Sequence, residues 1–133
     1  MNMKRFFFAG IAVFITFEIF NFIIHSVILS QTYESLSSIW RPDMMSIMWI
    51  MSIAIFVFSF LFVYIYSRGF GQSLLAGIRF GFVIGIIVIC VPAFNQYVVY
   101  PIPFKLVIQW CIYGLIQCIF CGMVASLIYK SKK

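Results

Sequence analysis

Acidic side chains are almost missing from this 133-residue chain: Glu18, Glu34 and Asp43 are the whole complement, and His25 is the one histidine. Charged residues of both signs make up 9% of the chain, against roughly a quarter in ordinary soluble domains, so there is no material for a wettable shell. That shortage excludes a soluble globular enzyme and a solvated disordered segment. It also speaks against nucleic acid as a partner, since such proteins carry a basic face toward water. No phosphate loop, nucleophile triad, zinc spacing or dinucleotide fingerprint occurs. A lone histidine does not build a metal site, so the expectation is a non-enzymatic protein with no cofactor, no metal and no catalytic residue.

What the chain has instead is apolar length. Hydrophobic residues make up 65% and the mean hydropathy is +1.13, concentrated in four nearly charge-free runs over 6–29, 44–66, 80–99 and 106–129. A helix rises ~1.5 Å per residue and the hydrocarbon core is ~30 Å thick, so about 20 apolar residues cross it. Each run is long enough. The pattern predicts an all-α membrane protein, one domain over 1–133, with four transmembrane helices (about 6–29, 44–66, 74–100 and 103–129) in an antiparallel bundle. The first run follows a basic start, Lys4-Arg5, but exceeds a signal-peptide core and has no small-x-small cleavage site after it. It reads as a retained helix.

The nine basic residues set the expected orientation. Lys4, Arg5, Arg68, Arg79, Lys130, Lys132 and Lys133 fall on one side of a four-span chain, and Arg41 and Lys105 on the other. Basic residues collect on the cytoplasmic side, so both termini are expected there, in a bacterial inner membrane. The connection 30–43 carries Leu36, Ile39 and Trp40 among polar neighbours, a pattern suited to the headgroup layer. Asp43 and Ser73 stand where the second and third helices need N-caps. Tyr100-Pro101-Ile102-Pro103 predicts a tight last turn, and Pro92 predicts a kink in the third helix.

Two sets of residues inside the spans call for explanation. Small residues recur every four positions, at Gly77, Gly81 and Gly85 on the third helix and at Gly114, Cys118, Gly122 and Ser126 on the fourth, as stripes that let backbones approach closely in lipid. Depth counted from the inner ends of the runs pairs Gly85 with Gly122 and Gly81 with Ser126. The second set is polar. Glu18, Asn21 and His25 share one face of the first helix at ~100° per residue. Depth arithmetic sets His25 level with Asn95, Gln96 and Gln109, Ser52 level with Asn21, and Gln117 close to Glu18. Such a column has a structural reading, in which a protonated Glu18 bonds Gln117 or a neighbour and glues helices together, and a functional one, in which Glu18 and His25 relay a proton or cation.

Several resemblances follow from these residues. Asn21-x-x-x-His25, Trp40-Arg41-Pro42, the glycine-punctuated inner loop and Tyr97-x-x-Tyr100-Pro101-Ile102-Pro103 are similar to small tetraspan bacterial membrane proteins of no assigned activity, which implies the fold and no reaction. Four helices with one mid-membrane carboxylate on the first resemble, in architecture, the small multidrug resistance transporters. That likeness implies Glu18 as a shared proton and substrate site; the family's Trp-centred helix-three motif is missing. Cys118-x-x-Cys121 is similar to the redox motif of the vitamin K epoxide reductase family, without that family's outer-loop cysteines. Met44, Met48 and Met51 resemble the methionines of Ctr-type copper transporters, without the methionine-rich tail. The leading expectation is an accessory or structural subunit of a membrane assembly or a homo-oligomer, its partners being lipid and other membrane chains or itself. A proton- or cation-coupled transporter using Glu18 is the alternative, and thiol redox or Cu(I) handling the third.

Overall fold

A computed structural model describes residues 1–130; Lys132 and Lys133, counted in the charge bias, lie outside the described residues. Four helices are long and apolar enough to cross a membrane: Met3–Ile28, Met44–Gly69, Leu74–Val99 and Phe104–Ile128. Among the described residues there is no strand. The chain therefore reads as a small multi-pass integral membrane protein.

The helix ends differ from the ends of the apolar runs, and side chains explain why. Asn2 caps the first span by accepting from Arg5 N at 3.1 Å, so the helix starts before the run. Ser73 does the same for the third, accepting from Ala76 N at 3.1 Å, which bears out its expected role. Asp43 does not: it precedes the second span, but its carboxylate takes two 3.1 Å hydrogen bonds from the Arg41 guanidinium, a stronger partner than a backbone N–H. Gly71, at φ +83°, makes the turn into Ser73 in a conformation that L side chains rarely adopt. Before Pro101, Tyr100 is extended (φ −115°, ψ 144°), as the ring of the following proline requires, and the fourth span starts after Pro103.

Two stretches leave α geometry. Phe22–Ile28 and Ile86–Cys90 are π-helical, with Leu29 N donating to Ile24 O and Val91 N to Ile86 O. The second lies just before Val91-Pro92, so a widened turn precedes the proline whose missing N–H interrupts the ladder.

Packing divides into two cores. The one nearer the chain termini gathers Val13 and Phe17 of the first span, Phe62 and Tyr66 of the second, Phe80 of the third, and Cys118, Cys121 and Ala125 of the fourth. Its rings meet edge-on: Phe17 lies 5.3 Å from Phe58 and 6.0 Å from Phe62, and Phe80 lies 4.6 Å from Phe62. Such edge contacts are the favourable arrangement for aromatic quadrupoles. The core at the far end, away from the termini, holds Ile24, Leu29, Ala93, Ile102, Leu106, Val107 and Cys111, covered by Tyr33, Leu36, Ile39 and Trp40 of the 30–43 connection. That segment is thus a lid packed across the bundle's end. Among the described residues the second span supplies nothing to the far core, and Trp49, Met51 and Ile53 are exposed.

Between the third and fourth spans the small residues do come face to face, between about one and two helical turns from the expected register. A Cβ on Gly81 would overlap the Cys118 carbonyl and lie 2.8 Å from Ile119 Cα; on Gly122 it would strike the Gly77 carbonyl; on Gly77, Ser126 Cβ at 2.7 Å. Gly81 therefore lies on Cys118, not Ser126, and Gly122 on Gly77, not Gly85. The depth count began at Phe80, where the charge-free run begins, whereas the helix continues back to Leu74 with Arg79 exposed on its surface. Gly85 meets only side chains, Leu115 Cδ2 at 3.0 Å and Cys118 Cβ at 3.1 Å, and Gly114 is covered by Ile89.

Candidate functional site

Polar groups in the spans form two separate hydrogen-bonded sets. The first joins the first and fourth spans. Gln117 is buried, and its Nε2 donates to Asn21 Oδ1 at 2.8 Å and to the Phe17 carbonyl at 3.1 Å. The expected Glu18–Gln117 bond is therefore replaced by one to Asn21. Phe17 and Asn21, four residues apart, share the face that meets the fourth span, while Glu18 is turned ~100° away from it. Depth arithmetic was right to within a turn; angular position chose the partner. Glu18 is half-buried, with Oε1 inaccessible and without a hydrogen-bond partner.

The second set lies at the far core, away from the termini. Trp110 Nε1 donates to the Tyr33 hydroxyl at 2.7 Å, and that hydroxyl is 2.5 Å from His25 Nδ1. With Nδ1 unprotonated, the Tyr33 hydroxyl accepts from Trp110 and gives its own proton to His25; which of the two donates follows the His25 tautomer. The rings of His25 and Tyr33 stack at 5.8 Å with an 18° interplanar angle. Trp40 stands edge-on to Tyr33 and donates Nε1 to its backbone carbonyl at 3.1 Å. The Tyr33 hydroxyl is pushed up to about 12 by burial, against which the Trp110 hydrogen bond acts. It stays a neutral donor throughout the physiological range.

His25 thus pairs with a loop tyrosine rather than with Asn95, Gln96 or Gln109. The π segment from Phe22 widens the turn and breaks the ~100° phase that set His25 on the face of Glu18. Asn95 and Gln96 are exposed, Gln109 and Ser52 half-buried, and among the described residues none of the four makes a side-chain hydrogen bond. The structure brings together Asn21 with Gln117 and, separately, His25 with Tyr33, Trp110 and Trp40. No hydrogen bond among the described residues links the two sets. Tyr33 and Trp110 are the residues that sequence reasoning missed. A signal existed: Trp110 adjoins Gln109 at a depth already considered polar, and a buried indole N–H demands an acceptor.

The remaining candidates stay apart. Cys90, Cys111, Cys118 and Cys121 are free thiols on the third and fourth spans. Met44, Met48 and Met51 are exposed on the second span, and among the described residues no group of three or more His, Cys, Asp or Glu could hold a metal ion. Compared with known proteins, the chain matches no family model, no curated protein and no solved structure.

Proposed function

We propose that this protein is a non-enzymatic membrane scaffold: an antiparallel four-helix bundle with both termini cytoplasmic, in a bacterial inner membrane, that serves as a structural subunit of a larger assembly or as a homo-oligomer. The observation that carries the reading is the Gln117–Asn21 pair. The most buried polar side chain of the mid-span set is spent on holding two helices of the same chain together, with both its contacts inside the protein. Antiparallel order is supported by the neighbours along the chain: Arg5 donates to the Lys130 carbonyl, Gln117 reaches Phe17, Gly77 lies on Gly122, and Tyr97 lies near Phe104. Cytoplasmic termini rest on the basic bias alone. The second span, least covered by the rest of the chain, offers the aromatic and methionine face on which another helix or lipid would lie.

A transport reading in which Glu18 binds a proton or cation is favoured by one observation, the inaccessible and unpartnered Oε1. A carboxylate left unmatched in a span is costly without a role. The two readings part on mass and flux. Native mass spectrometry from mild detergent should find a stoichiometric partner chain or a defined homo-oligomer under the scaffold reading. An isolated chain that moves protons in liposomes would support transport instead.

A further inference from the structure

The three acidic residues lie at the middle of the first span (Glu18) and in the 30–43 connection (Glu34 and Asp43), and none belongs to the end that carries most of the cations. At that end the first and last spans meet where Arg5 donates to the Lys130 carbonyl, and the Ser67–Ser73 turn folds against Tyr129. Between that turn and Tyr129 is a pocket of about 240 Å³ whose wall includes Arg68, Ser67 and Gln72, with Tyr66 and Tyr129 as its buried sides. The Arg68 guanidinium stacks over the Tyr64 ring at 4.9 Å and has no carboxylate within reach; among the described residues the only ion pair is Arg41–Asp43, at the opposite end. The third span starts at Leu74, directly after the pocket wall, so the positive end of its helix dipole lies beside Arg68, with the Ala76 N–H taken by Ser73 Oγ.

We propose that this pocket binds a phosphate-bearing anion through Arg68, the anion being the headgroup of an acidic phospholipid or a free phosphate. A guanidinium presents a planar fork that matches two phosphate oxygens. Gln72 supplies a neutral amide donor, the Ser67 hydroxyl giving its proton to the Tyr64 carbonyl at 2.7 Å, and Gly71 keeps the turn free of a side chain beside it. The site sits where a membrane-spanning helix ends, at the depth of lipid phosphates, and a basic pocket at such a level is how headgroups are held. The proposal needs only that the four helices cross a membrane. It stands or falls independently of the scaffold reading.

The test is native mass spectrometry of the full chain, purified in neutral detergent and offered dioleoyl phosphatidylglycerol or dioleoyl phosphatidylcholine. Wild type should retain one phosphatidylglycerol in at least about tenfold preference to phosphatidylcholine, the factor one charge-assisted hydrogen bond carries. R68Q should lose that preference, R68K should keep part of it, and R41Q, at the other end, should leave it unchanged. A parallel arm adds inorganic phosphate: displacement of the lipid in an Arg68-dependent way identifies free phosphate as a ligand, and retention through the challenge identifies the lipid headgroup. Should wild type hold both lipids equally and bind no phosphate, or should R68Q bind as wild type does in both arms, the proposal is overturned.

Discussion

Replacing Gln117 by leucine isolates the contact on which the bundle's mid-section depends. The side chain is 3% exposed and donates twice, to Asn21 Oδ1 and to the Phe17 carbonyl. Hydrogen bonds between membrane helices contribute about 0.6 kcal/mol on average and up to ~1.7, and a buried amide left without its donor costs roughly 1–3 kcal/mol. Gln117→Leu, which removes both bonds and strands Asn21, should therefore destabilise by about 2 kcal/mol. Asn21→Leu should cost about 1 kcal/mol, since Gln117 keeps its bond to Phe17. In the double variant no amide is stranded, so the costs should fall short of additive by about 1 kcal/mol. Reversible unfolding in mixed micelles, run as a double-mutant cycle, reads the coupling directly. Additivity within ~0.5 kcal/mol is what unconnected sites give, and finding it would refute the pairing. Glu18→Gln in the same assay should be nearly silent, because Gln117 does not depend on it.

Three further outcomes follow from the geometry. Gly81→Leu or Gly122→Leu should cost at least about 1–3 kcal/mol by forcing apart backbones in contact, with Gly85→Leu milder because its neighbours are side chains that can move and Ile86→Leu close to neutral; thermal aggregation in detergent ranks the four. Tyr33→Phe should free the 30–43 lid by removing the acceptor of Trp110 and the donor to His25, seen as faster proteolysis after Arg41. In the wild type Tyr33 titrates higher when docked than its ordinary 10, so the lid's hold should be complete below pH 10 and lost as pH rises through about 12, with phenolate absorbance and lid cleavage changing together. A cysteine introduced at Ser37 should react with an impermeant reagent added outside cells, and one placed at Gln72 should not; the reverse pattern would invert the orientation.

The four spans were legible because each is a run of apolar residues long enough that length alone identifies it. Their ends were legible only where a side chain marks them: Ser73 caps as its position suggests, but Asn2 starts the first helix ahead of its apolar run. Arg79 shows the cost of equating an uncharged run with a helix, since its exposed position inside the third span displaced the expected glycine register by between about one and two turns. Opposing small stripes were readable; their alignment was not, because periodicity carries phase and no origin. The polar column failed for a different reason. Its arithmetic assumed one uninterrupted α period, and the π turn at Phe22–Ile28, invisible in composition, carries His25 to a loop tyrosine. Asp43 was misread because the competition between a backbone N–H and the Arg41 guanidinium two residues away depends on loop geometry.

The central claim is that the buried polar groups hold helices together and move nothing. Its most direct test is proton flux into liposomes containing wild-type protein or Glu18→Gln, measured under an imposed pH gradient with co-purification of associated chains run in parallel. The account predicts no flux above empty liposomes for either protein and unchanged association for the variant. A wild-type flux that Glu18→Gln abolishes while association survives would contradict it.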